Sequence, residues 1–352
     1  MKAVILAGGE GTRLRPLTLA MPKPVVPVVN VPFLQYQLQL LKKHGVSEVI
    51  LSLGYQPQKI EAVLGDGSGL GMKIHYAIEQ SPLGTGGAYK NAERLLDGPT
   101  IVFNGDILCD LDLTAVLRQH QSHHATATLV LTRVQNPSAY GLVETTDNGC
   151  ITRFLEKPSA DEITCNTINA GTYILEPEVL KVIPTGENYS FERGVFPGLL
   201  RDQRPVYAYV SEGYWIDIGT PQKYMQVHQD ILHRRFCPPM SPVVATPSLA
   251  ATARVDQNSH FAAGVVIGEA AKVQSSSLGE ACSIGSNAIV ESCILWPSVS
   301  VGDNARLVGC IIGTNCRIGR NVVISRGVVL GDNSVITDYS LLSSEGTTRS
   351  YA

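Results

Sequence analysis

Two periodicities predict a two-part fold: an α/β domain with a largely parallel sheet, followed by a solenoid. From residue 1 to about 232, short apolar strands alternate with amphipathic helices, a pattern that places helices on both faces of a sheet. Beyond the proline-rich stretch Phe236-Cys237-Pro238-Pro239-Met240-Ser241-Pro242, with Pro247 following, aliphatic residues recur every 17 positions, at Ile267, Ile284, Val301, Ile318 and Val335. Fixed self-similarity of this kind marks stacked coils. A length of 352 residues agrees, since it exceeds what one ordinary core accommodates.

The first strand, Ala3 to Ala7, runs directly into Gly8-Gly9-Glu10-Gly11-Thr12-Arg13. Leu34, Leu38 and Leu41 lie at helical spacing, and Lys42, Lys43, His44 and Gly45 close that helix. Val49 to Leu53 reads as a strand, Gln58 to Leu64 as a helix, Lys73 to Ile78 as a strand, Gly86 to Leu96 as a helix and Thr100 to Phe103 as a strand. The prolines after Phe236 cannot continue a helix and mark a linker. In the solenoid, four of the five periodic aliphatics are followed by glycine (Gly268, Gly285, Gly302, Gly319). A second phase repeats through Leu278, Leu295 and Ile312, and asparagines recur at Asn287, Asn304 and Asn321. The interval is close to three six-residue units and resembles the left-handed β-helix of hexapeptide-repeat proteins, with room for roughly four to five coils. The expected divisions are 1–235, a linker 236–258 and a β-helix 259–345.

Composition narrows the function. Hydrophobic content of 44% with charged content of 17% describes a soluble globular protein, and a net charge of -3 argues against broad nucleic-acid or anionic-membrane binding. The apolar stretch after Lys2 is too short for a signal peptide, and no apolar run approaches a membrane span. Eight scattered cysteines without a Cys-x-x-Cys predict reduced thiols and a cytoplasmic location. Cys293 and Cys310 lie one period apart, with Ser276 on the preceding rung, and read as a small-residue ladder.

Positive charge is concentrated early, in Arg13, Arg15 and Lys23. Glycines let backbone N–H groups approach a phosphate, and two cations beyond three glycines suit a triphosphate. A dinucleotide site would place a third glycine where Leu14 stands, and a Walker loop would need Gly-Lys-Ser/Thr. Asn104-Gly105-Asp106 follows the strand Thr100 to Phe103, where such sheets bind ligand, and Mg²⁺ takes one or two carboxylates plus phosphate oxygens. Asp217 is a second carboxylate, set among apolar neighbours in Tyr214-Trp215-Ile216-Asp217-Ile218-Gly219. In Glu156-Lys157-Pro158, Lys157 offers charge to a second phosphate, while Glu156 and Asn169 offer hydrogen bonds to sugar hydroxyls.

The phosphate loop, Pro22-Lys23-Pro24, Leu83-Gly84-Thr85-Gly86-Gly87, Asn104-Gly105-Asp106, Glu156-Lys157-Pro158 and Trp215-Ile216-Asp217-Ile218-Gly219 occur in the order typical of sugar-1-phosphate nucleotidyltransferases. With its C-terminal repeat, the chain looks most like the mannose-1-phosphate guanylyltransferase branch. The resemblance implies a Rossmann-like mixed, mostly parallel sheet followed by a left-handed β-helix, and a Mg²⁺-dependent transfer from an NTP to a sugar 1-phosphate. It implies catalytic roles for Arg13, Lys23, Asp106 and Asp217, with the two aspartates holding the metal. Nucleotide contacts would come from Leu6, Ala7, Gly8, Gly9, Gly11, Thr12, Glu79, Pro82, Gly84 and Thr85, and sugar-phosphate contacts from Gly141, Glu156, Lys157, Asn169 and Gly171. Guanine offers two donors on one edge that the Glu79 carboxylate can accept together, which favours GTP.

Alternatives remain at this level: a glucose-1-phosphate thymidylyl-, uridylyl- or adenylyltransferase, or a non-catalytic sensor of nucleotide sugars. A sensor should have lost Arg13, Lys23, Asp106 or Asp217. Acyl transfer by the repeat is disfavoured, because His260 is its sole histidine and precedes the regular coils. The coils are expected to mediate homo-oligomer assembly. His120, His123 and His124 lack ligand spacing for zinc and read as a polar helix end.

Overall fold

The strand Lys2–Leu6 is buried along its length because Ala3, Val4 and Ile5 form an uninterrupted apolar run, as a strand between parallel neighbours requires. Those neighbours are Glu48–Leu53 and Thr100–Asn104, and Lys73–Ile78 extends the parallel part of the sheet. The computed structural model describes residues 1–240, 244–344 and the backbone of 349–350. Beyond Thr100–Asn104 the nine-stranded sheet turns antiparallel through Thr167–Leu175, which also pairs with Ala127–Arg133; Gly141–Thr145 and Ile151–Glu156 complete that edge. A buried aromatic cluster of Tyr173, Phe191 and Phe196, with ring centroids 4.9 to 5.4 Å apart, fills the core beneath it.

Helices form at Phe33–Lys43, Pro57–Leu64 and Gly84–Asn91. The last stops short of the expected Leu96, because the chain tightens into a 3-10 turn over Glu93–Leu95. The chain divides into two compact units, Met1–Glu10 with Gln37–Ile216, and Gly11–Tyr36 with Asp217–Ala352. Ser241, Pro242 and Val243 of the expected linker and Glu345 at the expected end of the β-helix lie outside the described residues. Among the described residues no helix is long and apolar enough to cross a membrane.

In the second unit the coils form a left-handed β-helix whose three parallel sheets hold six, seven and five strands, the middle one including an added antiparallel strand at its end. Ile267, Ile284, Val301 and Ile318 stack in register, as do Leu278, Leu295 and Ile312. A third ladder, Val273, Val290, Leu307 and Ile324, was not among the expected phases. Val335 is a correction: Ile318 pairs with Ile336, and Val335 is 67% exposed. One extra residue between Ile324 and Leu330 lengthens that coil and shifts everything after it, as Ile312 pairing with Leu330 also records. The ladders begin at Ser248–Leu249 and Arg254–Val255, so His260, in the strand His260–Phe261, lies inside the coils and not before them.

The repeating glycines and asparagines have different causes. A Cβ on Gly285 would sit 2.7 Å from the carbonyl carbon of Gly302, so close stacking of coils demands glycine there. Asn287, Asn304 and Asn321 instead take left-handed corners, with φ of 57°, 58° and 55°. Ser276, Cys293 and Cys310 stack as a ladder of small residues: the Cys293 N–H donates to Ser276 Oγ at 3.0 Å, and the two thiols are free with sulfurs 3.5 Å apart.

Candidate functional site

In the first unit, the chain leaves the strand Lys2–Leu6 through Gly8, which is packed too closely for any side chain, and Gly9, which faces open space. A Cβ on Gly8 would lie 2.5 Å from Glu79 Oε1 and 3.3 Å from the Gly54 nitrogen. A cavity of about 300 Å³ opens beside this loop. Its walls bring together Leu6, Gly8, Gly9, Glu79, Pro82, Gly84 and Thr85, all expected nucleotide contacts, and add Ala88 and Asn188, which the sequence did not suggest.

Glu79 is fixed before any ligand arrives. Its Oε1 accepts from Ser52 Oγ at 3.1 Å and its Oε2 from the Leu83 N–H at 3.1 Å. A carboxylate carries about four acceptor positions, so each oxygen keeps one for a base edge. Thr85 lies at the same cavity. Its hydroxyl donates to Glu192 Oε2 and accepts from the Phe191 N–H, both at 2.8 Å, so it ties the helix Gly84–Asn91 to residues 191–192. Gly87 begins no side chain because a Cβ would meet the Glu187 carbonyl oxygen at 2.4 Å.

Asp106 follows the strand Thr100–Asn104 on a tight turn. The Gly105 N–H donates to the Leu6 carbonyl at 2.8 Å, and a Cβ on Gly105 would stand 2.6 Å from that oxygen. Gln37, 2% exposed, donates from Nε2 to the carbonyls of Asn104 and Ile107, both at 2.8 Å, and so grips the turn from both sides. Nothing in the local sequence signals Gln37, which looks like one polar position in a helix.

The sugar-phosphate candidates occupy the antiparallel part of the sheet. Gly141 pairs with Glu156, and a Cβ there would meet Glu156 Oε2 at 3.1 Å. Burial, and secondarily the charge of Glu192, raises the Glu156 carboxyl above its ordinary value; Lys157 and Arg193 oppose this. Lys157 adopts a left-handed conformation, φ 52°, with its N–H on the Tyr140 carbonyl at 2.9 Å. A bulge between Asn169 and Tyr173 redirects the strand Thr167–Leu175. There Asn169 donates to the Tyr173 hydroxyl at 2.8 Å and accepts from the Gly171 N–H at 3.0 Å, so part of its hydrogen-bonding capacity is spent within the chain. Trp215 donates to the Ala170 carbonyl at 2.9 Å and meets Tyr140 edge-on at 5.6 Å.

The second unit holds Arg13, Lys23 and one carboxylate, Asp217. Gly11, at φ 65°, packs on Lys23: a Cβ there would lie 3.0 Å from Lys23 Cβ. Thr18 Oγ1 donates to the Gly11 carbonyl at 2.8 Å and closes the loop containing Thr12 and Arg13. Lys23 is buried on the 3-10 turn Lys23–Val25. Around Gly219, a Cβ would find Asp217 Oδ2 at 2.9 Å and Arg13 Nη2 at 3.0 Å, so both side chains converge on that glycine. Asp217 is buried and ion-paired with Lys223 on the first turn of the helix Pro221–Leu232, a partner the motif did not reveal.

Asp106 thus belongs to the first unit, and Arg13, Lys23 and Asp217 to the second. Among the described residues no group of three or more His, Cys, Asp or Glu forms a metal cage. Asp217 is an oxygen donor of the kind Mg²⁺ takes beside waters and phosphate oxygens, and the Lys223 ammonium against it shows a carboxylate already disposed to hold a cation. His120 places its ring nitrogens 2.8 Å from Thr128 Oγ1 and 3.1 Å from Glu176 Oε1, and His123 stacks on Tyr207.

Comparison with known proteins completes the picture. The nucleotidyl transferase family matches residues 2–234, and the LbH domain of EIF2B subunit epsilon matches 244–341. The chain is 44% identical over 232 residues to the mannose-1-phosphate guanylyltransferase of Mycobacterium tuberculosis, covering 65% of this chain and 64% of that protein. It is 36% identical over 250 residues to the UTP–glucose-1-phosphate uridylyltransferase of Synechocystis, covering 67% of this chain and 64% of that one. The match therefore spans just under two thirds of the length of either relative. Among solved structures, HddC from Yersinia pseudotuberculosis complexed with GMP-PN aligns with a TM-score of 0.57 at 32% identity, covering 65% of this chain and 99% of that one.

Proposed function

The chain belongs to the nucleotidyl transferase family, and from that premise we propose that it transfers a nucleotidyl group from GTP to mannose 1-phosphate, releasing pyrophosphate and forming GDP-mannose. The observation that carries this reading is the cavity in which Gly8, Gly9, Gly84 and Pro82 surround a carboxylate, Glu79, clamped with acceptor capacity to spare. Guanine's N1–H and N2–H₂ match that carboxylate as a pair of donors, whereas uracil and thymine present one. The names of the relatives support both the base and the sugar.

An oxygen of the sugar 1-phosphate attacks the α-phosphorus in line. The bond from that phosphorus to the bridging oxygen of the β-phosphate breaks, and pyrophosphate leaves without a covalent enzyme intermediate. Positioning and charge neutralisation then supply the acceleration. Arg13 holds the departing β- and γ-phosphates and Lys23 stabilises charge at the α-phosphorus. Lys157 orients the attacking phosphate, with Gly141, Glu156, Asn169 and Gly171 around the sugar. Leu6, Ala7, Gly8, Gly9, Gly11 and Thr12 approach the nucleotide through their backbone. Asp106 and Asp217 would hold Mg²⁺, which when bound neutralises phosphate oxygens of the nucleotide.

In this reading residues 1–235 form the catalytic domain, and a β-helix through which copies of the chain associate follows; its first rungs, Ser248–Leu249 and Arg254–Val255, already lie within the stretch 236–258 expected as a linker. Reduced, scattered cysteines fit a cytoplasmic setting. A matrix of the four NTPs against mannose and glucose 1-phosphates, read by pyrophosphate release, tests the proposal. GTP with mannose 1-phosphate should be the fastest pair. Preference for UTP with glucose 1-phosphate, the pair favoured by the name of the Synechocystis relative, would replace it.

A further inference from the structure

The segment Gly11–Tyr36 carries Arg13 and Lys23, yet up to Pro32, where the helix Phe33–Lys43 takes over, it has little regular structure: two single 3-10 turns and a hairpin pairing Pro27–Val28 with Val31–Pro32. It falls into the same compact unit as the β-helix. Its backbone is held from outside by buried side chains. The Pro27 carbonyl accepts from the Tyr224 hydroxyl and lies 3.2 Å from His228 Nε2, while the Val29 N–H donates to His228 Nδ1 at 3.4 Å. This arrangement requires a neutral imidazole protonated on Nε2, and burial holds His228 neutral, with its pKa lowered to about 3. Tyr36 donates to the Val28 carbonyl at 2.9 Å.

The β-helix takes part directly. Trp296, 1% exposed and immediately after the strand Ile294–Leu295, donates from Nε1 to the Tyr224 hydroxyl at 3.1 Å. Asn30 donates from Nδ2 to the Leu278 carbonyl at 3.0 Å. On a later coil, a Cβ on Gly331 would lie 3.0 Å from Pro16 Cβ, so the coil abuts the turn three residues after Arg13. An indole N–H can only donate, a phenol hydroxyl both accepts and donates, and a carbonyl only accepts. Trp296, Tyr224 and Pro27 therefore form a one-directional chain of hydrogen bonds, each polarising the next.

We propose that Tyr224 and Trp296 are positioning residues for Lys23, so that the β-helix completes the catalytic segment and is not solely a surface for assembly. The inference rests on the role given to Lys23 above. A residue that acts on the α-phosphorus in the transition state loses effect when displaced by a fraction of an ångström, while substrate binding, spread over other contacts, changes little.

The test uses the full chain with Tyr224→Phe, Trp296→Phe and, as a control for coil stability, Leu307→Ala, whose side chain lies in the β-helix core away from residues 11–36. Tyr224→Phe should lower kcat about tenfold with KM for the NTP within about twofold, and Trp296→Phe should lower it about threefold. Leu307→Ala should lower Tm with kcat unchanged at temperatures well below it. If Tyr224→Phe keeps wild-type kcat, or if kcat falls in step with Tm across all three variants, the proposal is overturned. Amide hydrogen exchange over residues 22–33 decides the matter separately from turnover: exchange should quicken in Tyr224→Phe but not in Leu307→Ala, and unchanged exchange in Tyr224→Phe overturns the inference. Wild-type protein that releases no pyrophosphate with any substrate pair would refute the proposed function while leaving the exchange measurement to judge the clamp.

Discussion

The two units hold their candidate residues by different means. In the first, the backbone does the holding: Gly8, Gly87 and Gly105 press against carbonyls and carboxylates with no space for a Cβ, and regular strands fix the turns. In the second, the segment bearing Lys23 has little regular structure and is held by a phenol and an imidazole reaching in from distant parts of the chain, the phenol backed by the Trp296 indole. The contrast teaches that a glycine motif announces itself in sequence, whereas a side-chain clamp does not. Its partners stand 199 and 248 residues away in the cases of His228 and Leu278.

The largest expected effect falls on the coil core. Leu307→Ala removes a fully buried side chain from a stack in which every rung contacts only its neighbours, and should cost about 2–5 kcal/mol in denaturant unfolding. A loss under about 1 kcal/mol would mean that adjacent coils collapse into the cavity. Next comes Asp106→Ala, which tests the backbone-held half of the site. Turnover should fall at least ~10²-fold, or about 2.7 kcal/mol, the scale of one major electrostatic group. Near-normal Mg²⁺-dependent turnover would remove Asp106 from the chemistry.

The sequence announced these two regions unequally. Two of the three coil ladders are visible as aliphatic residues at a constant interval, with glycine following the rungs of the first. The ladder through Val273, Val290, Leu307 and Ile324 keeps the same interval, with Asn287, Asn304 and Asn321 three residues before its last three rungs, so it is equally legible; Val335 differs, because a period cannot foresee the one inserted residue that puts Ile336 on the rung. In the site, Leu6, Gly8 and Gly9 are legible because contiguous residues at a strand end stay together in space; Glu79, Pro82, Gly84 and Thr85 of the same cavity are expected only from the resemblance, and Ala88 and Asn188 not at all. Lys223, Gln37, Tyr224 and Trp296 were not, because each earns its place from a partner brought near by folding. Thr85 lines the cavity, and its hydroxyl serves Glu192 and Phe191, partners that folding alone brings near.

Acidity gives a smaller, directional test of the side-chain clamp. Unfolded histidine titrates near pH 6.5, and His228 in the fold stays neutral down to about 3. Between those values the unfolded chain binds one more proton than the folded one, so stability is full above about pH 6.5 and declines as pH drops, by about 1.4 kcal/mol per unit. From pH 6.5 to 5 the loss is about 2 kcal/mol. His228→Gln should be less stable at pH 7.5 but should lack this component of the slope. Parallel stability curves for the two proteins between pH 7.5 and 5 would show that His228 does not titrate in the way its burial requires.

The smallest effect concerns a place where the first unit, too, holds a turn by a side chain. Gln37 grips Asn104 and Ile107 with a single side-chain amide, while its own Oε1 is buried with no partner among the described residues. Gln37→Met keeps the length of the side chain, removes two donated hydrogen bonds and also removes the orphaned acceptor. These terms offset one another, so stability should change by less than the roughly 1–3 kcal/mol expected for exposing two carbonyls to an apolar neighbour alone. Asp106, released from one side of its turn, should tolerate more positions. We expect kcat to fall about tenfold, equivalent to about 1.4 kcal/mol, and the Mg²⁺ concentration for half-maximal activity to rise. Unchanged Mg²⁺ dependence would mean that Gly105 and the adjoining strand suffice to aim the carboxylate, which would make the difference between the two units sharper than the hydrogen bonds of Gln37 imply.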